Sequence, residues 1–191
     1  MEYSVDELRK RNRNLRAGLD ATAQDQAAGN LGERICSMPE YARARRIAAY
    51  FAVNGEISLD FVIDRALAQG KQIFLPNLDQ KALRFAPYFR QQKMRINRFK
   101  LPEPDVRDDK MLAPEALDLV LAPLVVFDAM RNRIGMGGGF YDRSFAFRKD
   151  PASNSPVLIG VAHELQKHER LKPEPWDVQL DMIVTDENIY R

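Results

Sequence analysis

A glycine-rich segment with flanking arginines carries the strongest chemical signal in this 191-residue chain. Four of its ten glycines fall within five positions, at Gly135, Gly137, Gly138 and Gly139. Glycine tolerates positive φ and leaves room for a ligand to reach backbone N–H groups. Between a buried strand and a helix start, such a loop can form a nest that binds an anion. Arg131, Arg133 and Arg143 add positive charge, so the segment favours a polyphosphate site over a tight turn with solvated arginines.

Other motifs for nucleotides or metals do not match. The chain has no GxxxxGK(S/T) sequence, and its glycine loop lies too late for the GxGxxG fingerprint that follows a first strand. His163 and His168 are five residues apart, which is not the HExxH spacing, and Cys36 has no second cysteine with which to form a zinc site. We therefore interpret both histidines as structural or solvated and Cys36 as a packing residue.

Two aspartates are candidate magnesium ligands. Asp142 follows the glycine loop directly, where a metal shared with nucleotide phosphates would lie, and Asp181 precedes a short apolar segment. Magnesium takes hard oxygen donors, usually one or two carboxylates together with phosphate oxygens and water. Surface solvation or a capping role is the alternative for each of them.

Glu56 is a candidate for ligand recognition because of its position after a predicted strand. It follows the Asn54-Gly55 turn signal that ends an apolar run. In open α/β sheets, ligands bind at the carboxyl ends of the strands. An ordinary turn carboxylate is the alternative interpretation.

The first half of the chain alternates helical and strand patterns. Ser4 and Glu7 form a capping-box signal for a basic helix over residues 4–17, and a second helix is predicted over about 22–38. A strand over 46–53, a helix over 59–68 ending before Gly70, and a strand over 71–75 closed by Pro76-Asn77 then follow. This order predicts a βαβ unit.

The second half supplies the apolar centre of the predicted sheet. Residues 83–89 predict a further strand, and the proline-rich residues 97–114 predict a surface connection. The most apolar segment, 117–127, predicts a central buried strand broken at Pro123. A helix over 141–148 and strands over 157–161 and 182–185 complete the pattern. We expect one α/β domain over residues 1–191, with a mainly parallel, Rossmann-like central sheet flanked by helices.

Composition excludes several classes of protein. The chain is 45% apolar and 29% charged with a net charge of +2, which is ordinary for a globular domain and too even to indicate nucleic acid or a membrane surface. Its longest apolar run has nine residues, whereas a membrane span needs roughly 20. The charged first residues lack the apolar core of a signal peptide, and a lone cysteine suits a reducing compartment. We expect a cytoplasmic monomer.

At the level of motifs, the chain resembles the 5-formyltetrahydrofolate cyclo-ligase family, also called methenyltetrahydrofolate synthetases. The resemblance is carried by RIGMGGGFYDR at 133–143 after the segment DLVLAPLVVFD. Weaker matches occur in the right order: YFAVNGEI at 50–57, FLP at 74–76 and WDVQLD at 176–181. The resemblance implies ATP- and magnesium-dependent closure of 5-formyltetrahydrofolate to 5,10-methenyltetrahydrofolate, with release of ADP and phosphate through a phosphorylated formyl group.

The same resemblance implies roles for particular residues. Arg133 and Tyr141 would be catalytic, and Asp142 and Asp181 would bind magnesium. Phe51 and Glu56 would contact folate, which could be polyglutamylated. The nucleotide would contact Arg9 and the residues from Arg133 through the loop, namely Ile134, Gly135, Met136, Gly137, Gly138, Gly139, Phe140 and Tyr141. Loop residues Met136 to Phe140 would also contact the folate.

Two other classes of function stay open on the residues alone. Similar Rossmann-like folds serve sugar-phosphate isomerases and acyl or CoA transferases, which would need a catalytic base or glutamate but no ATP. A non-enzymatic nucleotide- or RNA-binding module is the other possibility, with the basic helix over residues 8–16 as its contact surface. That helix has few interleaved aromatics, so a solvated face is the simpler interpretation, and we expect no nucleic acid or membrane partner.

Overall fold

A mostly parallel sheet forms the centre of the computed structural model, which describes residues 3–150 and 152–191. Its helices are α1 Val5–Ala17, α2 Ala21–Cys36, α3 Pro39–Arg43, α4 Asp60–Ala68 and α5 Phe140–Ser144. Its strands are β1 Arg46–Ala48, β2 Gln72–Asp79, β3 Ala82–Tyr88, β4 Met94–Ile96, β5 Pro102–Pro104, β6 Leu119–Pro123, β7 Val126–Phe127, β8 Arg133–Ile134, β9 Val157–Ala162, β10 Met182–Thr185 and β11 Ile189–Tyr190.

The largest sheet of the described residues has seven strands in the order β11-β10-β9-β6-β1-β2-β3. The five strands from β10 to β2 pair in parallel, and β11 and β3 are antiparallel at the two edges. One face packs against α2 and α4, and the other packs against α5 and its neighbouring loops. This architecture confirms the predicted α/β class with a mainly parallel central sheet.

Helix α1 begins as its sequence predicts. The Ser4 hydroxyl accepts the Glu7 N–H at 3.3 Å, and a Glu7 carboxylate oxygen accepts the Ser4 N–H at 2.8 Å. Leu8, Asn12 and Arg16 recur every four residues and form the buried face of the helix. The basic helix therefore packs one stripe, including an arginine, against the rest of the protein.

Two predicted strand boundaries are wrong. Strand β1 ends at Ala48, and the chain then leaves the sheet before the left-handed Asn54 (φ 52°) and Gly55 (φ 73°). Strand β2 runs past Pro76 to Asp79, and Pro76 lies opposite Phe85 of β3. The N–H and C=O of Phe85 both bond to the backbone of Leu112, on the other side of β3. No hydrogen bond from a Pro76 N–H is needed there, so proline does not end the strand.

The predicted break in the central strand is confirmed. Strands β6 and β7 are separated at Leu124 and Val125, and the Gln166 amide donates to both of their carbonyl oxygens at 2.9 Å. The predicted surface connection contains β5, which pairs with β4 and holds the buried Glu103. The helix after the glycine loop is shorter than predicted and is followed by a 3₁₀ turn, Ala146–Lys149.

Among the residues that the structure describes, no helix is both long and apolar enough to cross a membrane.

Candidate active site

The glycine loop connects the short β7–β8 hairpin to α5. Gly137 (φ 97°) and Gly139 (φ 62°) take left-handed conformations that favour glycine. Met136, Gly137 and Gly138 are exposed, and Gly139 is the last residue before α5. The loop thus offers backbone groups to solvent at the place where the sequence predicts the phosphates.

Arg9 lies against this loop although it is far away in the sequence. Its Nε donates to the Gly135 carbonyl oxygen at 2.9 Å, and a β-carbon on Gly137 would be 3.5 Å from its guanidinium carbon. Asp6, one turn earlier on α1, pairs with its Nη1 at 2.7 Å. The structure therefore brings the predicted nucleotide-contacting arginine of α1 to the predicted nucleotide loop.

Arg133 and Asp142 form an ion pair behind the loop. Arg133 Nη2 is 2.5 Å from Asp142 Oδ1, and Nη1 donates to the Val178 carbonyl oxygen. The Val178 N–H donates to the same Asp142 oxygen at 3.2 Å. Asp142 Oδ2 has no hydrogen-bond partner among the described residues. One carboxylate oxygen is thus left for a hard cation, beside a guanidinium suited to a phosphate.

Asp181 belongs to a different ion pair at the amino end of β10. Arg148 Nη2 lies 2.8 and 3.0 Å from its two oxygens, and the Leu158 N–H donates to Oδ2 at 2.7 Å. Residues 3–150 and 152–191 contain no group of three or more His, Cys, Asp or Glu side chains that could hold a metal ion. Each of the two predicted magnesium ligands is thus paired with its own arginine, Asp142 with Arg133 and Asp181 with Arg148.

Glu56 lies just beyond the left-handed turn that follows β1. Its Oε2 accepts the Val53 N–H at 3.2 Å, and its Oε1 is 3.7 Å from Nη2 of Arg16. Burial raises the pKa of Glu56 above the ordinary value, while the charge of Arg16 and the bond from Val53 lower it. The carboxylate is largely enclosed and has a cation beside it.

Tyr141 lies in the first turn of α5, directly after the glycine loop. Burial raises the pKa of its phenol, and the negative charge of Glu56 raises it further. The pKa of Tyr50 is raised for the same two reasons, and its hydroxyl donates to the Ile57 carbonyl oxygen at 2.8 Å. Tyr141 therefore stays protonated, and the charge of Glu56 acts on it.

Aromatic rings border both parts of the site. Phe51 is half-buried and meets Tyr88 edge to face, with centroids 5.3 Å apart. Phe140 meets Phe99 in the same way at 5.8 Å, and Phe99 is 52% exposed. A partly exposed ring offers a face for stacking on a planar ligand.

Sequence reasoning did not identify Phe99, Tyr50 or Arg16. Phe99 belongs to the segment predicted as a surface connection, and no local pattern connects that segment to the glycine loop. For Arg16 a signal existed, because it continues the four-residue period of Leu8 and Asn12 that marks the buried face of α1.

Comparisons with known proteins point to one family. Residues 2–186 match the model of the 5-formyltetrahydrofolate cyclo-ligase family. The 5-formyltetrahydrofolate cyclo-ligase of Haemophilus influenzae is 36% identical over 182 residues, which cover 93% of this chain and 96% of the relative. The Escherichia coli K12 enzyme of the same name is 32% identical over 187 residues, covering 93% and 98%.

A solved structure supports the same assignment. The NMR structure of Aquifex aeolicus 5,10-methenyltetrahydrofolate synthetase superposes with a TM-score of 0.83 at 26% identity, covering 98% of this chain and 92% of the other. The family match spans nearly the whole chain and includes the glycine loop, Glu56 and both aspartates. The chain is therefore a member of the 5-formyltetrahydrofolate cyclo-ligase family.

Proposed function

We propose that this chain converts 5-formyltetrahydrofolate to 5,10-methenyltetrahydrofolate, using Mg-ATP and releasing ADP and phosphate. The observation that supports this most directly is the placement of α1, which contacts the glycine loop through Arg9 and the Glu56 turn through Arg16. This reaction requires a phosphate site and a folate site held by one framework, and the contacts of α1 with both candidate segments support that arrangement.

The chemistry needs ATP because a formamide is a poor electrophile and its oxygen a poor leaving group. In the proposed first step the formyl oxygen attacks the γ-phosphorus and ADP leaves, which gives a phosphorylated formyl group. N10 of the same folate then attacks the formyl carbon, the C–O bond to phosphate breaks, and N10 releases its proton to solvent. Positioning and charge neutralisation supply most of the rate enhancement in such transfers.

The proposed roles follow the geometry. Arg133 and Arg9 would neutralise phosphate charge, and Tyr141 would donate a hydrogen bond from a phenol that stays protonated. Glu56 would accept pterin N–H groups, and Phe51 would stack on the ring. The loop from Met136 to Phe140 would lie between the two substrates.

Magnesium fits Asp142 better than Asp181. The free Oδ2 of Asp142 is a hard donor beside the loop, whereas both oxygens of Asp181 are used by Arg148 and the Leu158 N–H. We propose Asp142 as a ligand, with Asp181 joining it by exchanging Arg148 for the metal. Magnesium, when bound, would offset the negative charge of the triphosphate.

The proposal extends to the chain as a whole. We propose that residues 1–191 form one cyclo-ligase domain that acts as a cytoplasmic monomer on folates with or without a polyglutamate tail. Helix α1 gives an RNA-binding role little support, because Arg16 is buried and Arg9 is held by the Gly135 carbonyl oxygen and Asp6, which leaves Lys10, Arg11 and Arg13 facing solvent.

The test is product formation from 5-formyltetrahydrofolate, followed by the near-ultraviolet absorbance of the methenyl group, with and without ATP. We expect product only with Mg-ATP, and loss of most of that activity in Asp142→Asn. Asp25→Asn, an exposed aspartate on α2, is the matched control and should behave as wild type. Product without ATP, or no product from folded protein that binds ATP, would contradict the proposal; ATP-free turnover of a sugar phosphate or a CoA ester would favour the other enzyme classes.

A further inference from the structure

Arg16 is a charged side chain that the proposed mechanism does not use. It lies on the inner face of α1 and is completely buried, with 0% of the residue exposed. Burial lowers its pKa, and the charge of Glu56 opposes that effect, yet arginine stays protonated in proteins. A buried cation is costly unless it is paired and hydrogen-bonded, so the groups around it must compensate for its charge.

The guanidinium of Arg16 joins three separate segments. Its Nε donates to the Asn54 carbonyl oxygen at 3.0 Å, and its Nη1 donates to the Leu124 carbonyl oxygen at 3.3 Å. Its Nη2 lies 3.7 Å from Glu56 Oε1 and has no hydrogen-bond partner in the described part of the chain. Arg16 thus fixes the turn that carries Glu56 and supplies the cation that pairs with it.

The pair leaves one oxygen of Glu56 open. Oε2 accepts the Val53 N–H, whereas Oε1 accepts no hydrogen bond from residues 3–150 or 152–191. At 3.7 Å the guanidinium favours the ionised carboxylate through its charge without occupying that oxygen. An ionised, unoccupied carboxylate oxygen is a strong acceptor for a ligand N–H group.

We propose that Arg16 is a positioning residue for folate: it holds the Glu56 turn and keeps the Glu56 carboxylate charged, with Oε1 free to accept an N–H group of the pterin. This inference rests on the proposed function, because it requires folate to bind at Glu56.

The other ionisable groups near Glu56 do not substitute for Arg16. The charge of Glu56 acts on Tyr50 and Tyr141, and both are phenols that stay neutral because burial raises their pKa values. His163 contacts the turn through its Nε2, which is 3.2 Å from the Gly55 carbonyl oxygen, and burial lowers its pKa. Arg16 is therefore the cation that the Glu56 carboxylate depends on.

The test is a double-mutant cycle read out by folate binding. Arg16→Gln, Glu56→Gln and the double variant are titrated with 5-formyltetrahydrofolate by calorimetry without ATP, and KM for ATP is measured separately. Loss of a hydrogen bond to a charged group predicts a dissociation constant at least about tenfold larger for either single variant. The KM for ATP should change by less than about twofold. In the Glu56→Gln background, Arg16→Gln should raise the dissociation constant for folate by less than about a further twofold.

Two further variants separate positioning from a general structural role. Arg13→Gln removes an exposed arginine from the same helix and should leave folate binding unchanged. Arg16→Lys keeps the buried charge but replaces the planar, forked guanidinium with a shorter ammonium, which should loosen the Glu56 turn and weaken folate binding only where Glu56 is present. If Arg16→Gln does not fold, Arg16→Lys in the two backgrounds decides the question.

The outcomes distinguish this inference from the proposed function. The positioning role would be overturned if the effects of the Arg16 and Glu56 variants on folate affinity were additive, or if only the KM for ATP changed. Either result would leave the proposed reaction intact. A wild-type protein that neither binds nor turns over 5-formyltetrahydrofolate would instead overturn the proposed function. Non-additive loss of folate affinity with unchanged ATP kinetics would support both.

Discussion

Gly55→Ala tests how closely the Glu56 turn approaches helix α1. Gly55 has φ +73°, and a β-carbon there would lie 2.9 Å from the Arg16 carbonyl oxygen, 3.1 Å from its carbon and 3.2 Å from the Ala17 nitrogen. All three are backbone atoms that cannot rotate away. The substitution must therefore push the turn and the end of α1 apart.

Gly70→Ala is a matched control for the conformational part of this effect. Gly70 also has φ +73°, but a β-carbon there would meet no atom within 4 Å. A left-handed alanine costs about 1 kcal/mol at either position. Forcing extra volume against packed atoms adds about 1–3 kcal/mol at Gly55 alone. We expect Gly55→Ala to lower the free energy of unfolding by about 2–4 kcal/mol and Gly70→Ala by about 1 kcal/mol.

Equilibrium unfolding in urea measures both variants, with unchanged slopes required for the comparison. Melting temperatures should fall by roughly 2–4 °C for Gly70→Ala and by roughly two to four times as much for Gly55→Ala. Gly55→Ala should also weaken binding of 5-formyltetrahydrofolate, because it displaces Glu56 from Arg16, whereas Gly70→Ala should not. Equal destabilisation by the two variants would refute the close approach, and wild-type folate affinity in Gly55→Ala would refute its connection to the site.

Two further substitutions test burial elsewhere in the fold. Burial lowers the pKa of His163 below its ordinary 6.5, so the unfolded chain binds more protons and stability is lost as pH falls below about 6.5. Between about pH 7.5 and 5.5, His163→Gln should lose less free energy of unfolding than the wild type, as measured by urea unfolding at both pH values. An equal loss in the two proteins would contradict this. Gly160→Ala places a β-carbon 2.5 Å from Leu180 Cδ1 in the core; it should cost about 1–3 kcal/mol, and an unchanged urea midpoint would show that the core relaxes freely.

The features predicted correctly from the sequence are those that local chemistry determines. The Ser4–Glu7 capping box requires only residues three apart, and the buried strand break at Pro123 follows from the geometry of proline. The parallel sheet follows from alternating strand and helix patterns. The capping box and the strand break depend on neighbouring residues, and the parallel sheet is predicted from the order of its elements, so the sequence alone carries this information.

The features that were missed depend on contacts between distant segments. Strand β2 continues through Pro76 because the backbone N–H and C=O of Phe85, its partner in β3, bond to Leu112, which is far along the chain. Phe99 reaches Phe140 through the folding of the predicted surface connection. Nothing in the local sequence distinguishes Arg148, which takes the oxygens of Asp181, from any other surface arginine.

Helix α1 links the two binding segments that the proposed reaction needs. Arg9 and Arg16 are seven residues apart, two helical turns or about 10.5 Å along one face. Arg9 bonds to the glycine loop, and Arg16 bonds to the turn before Glu56. The proposed transfer needs the formyl oxygen and the γ-phosphorus held at a fixed separation. One helix that contacts both binding segments would set that separation: Arg16 is buried beside the Glu56 turn and Arg9 bonds to the glycine loop, whereas Lys10, Arg11 and Arg13 face solvent.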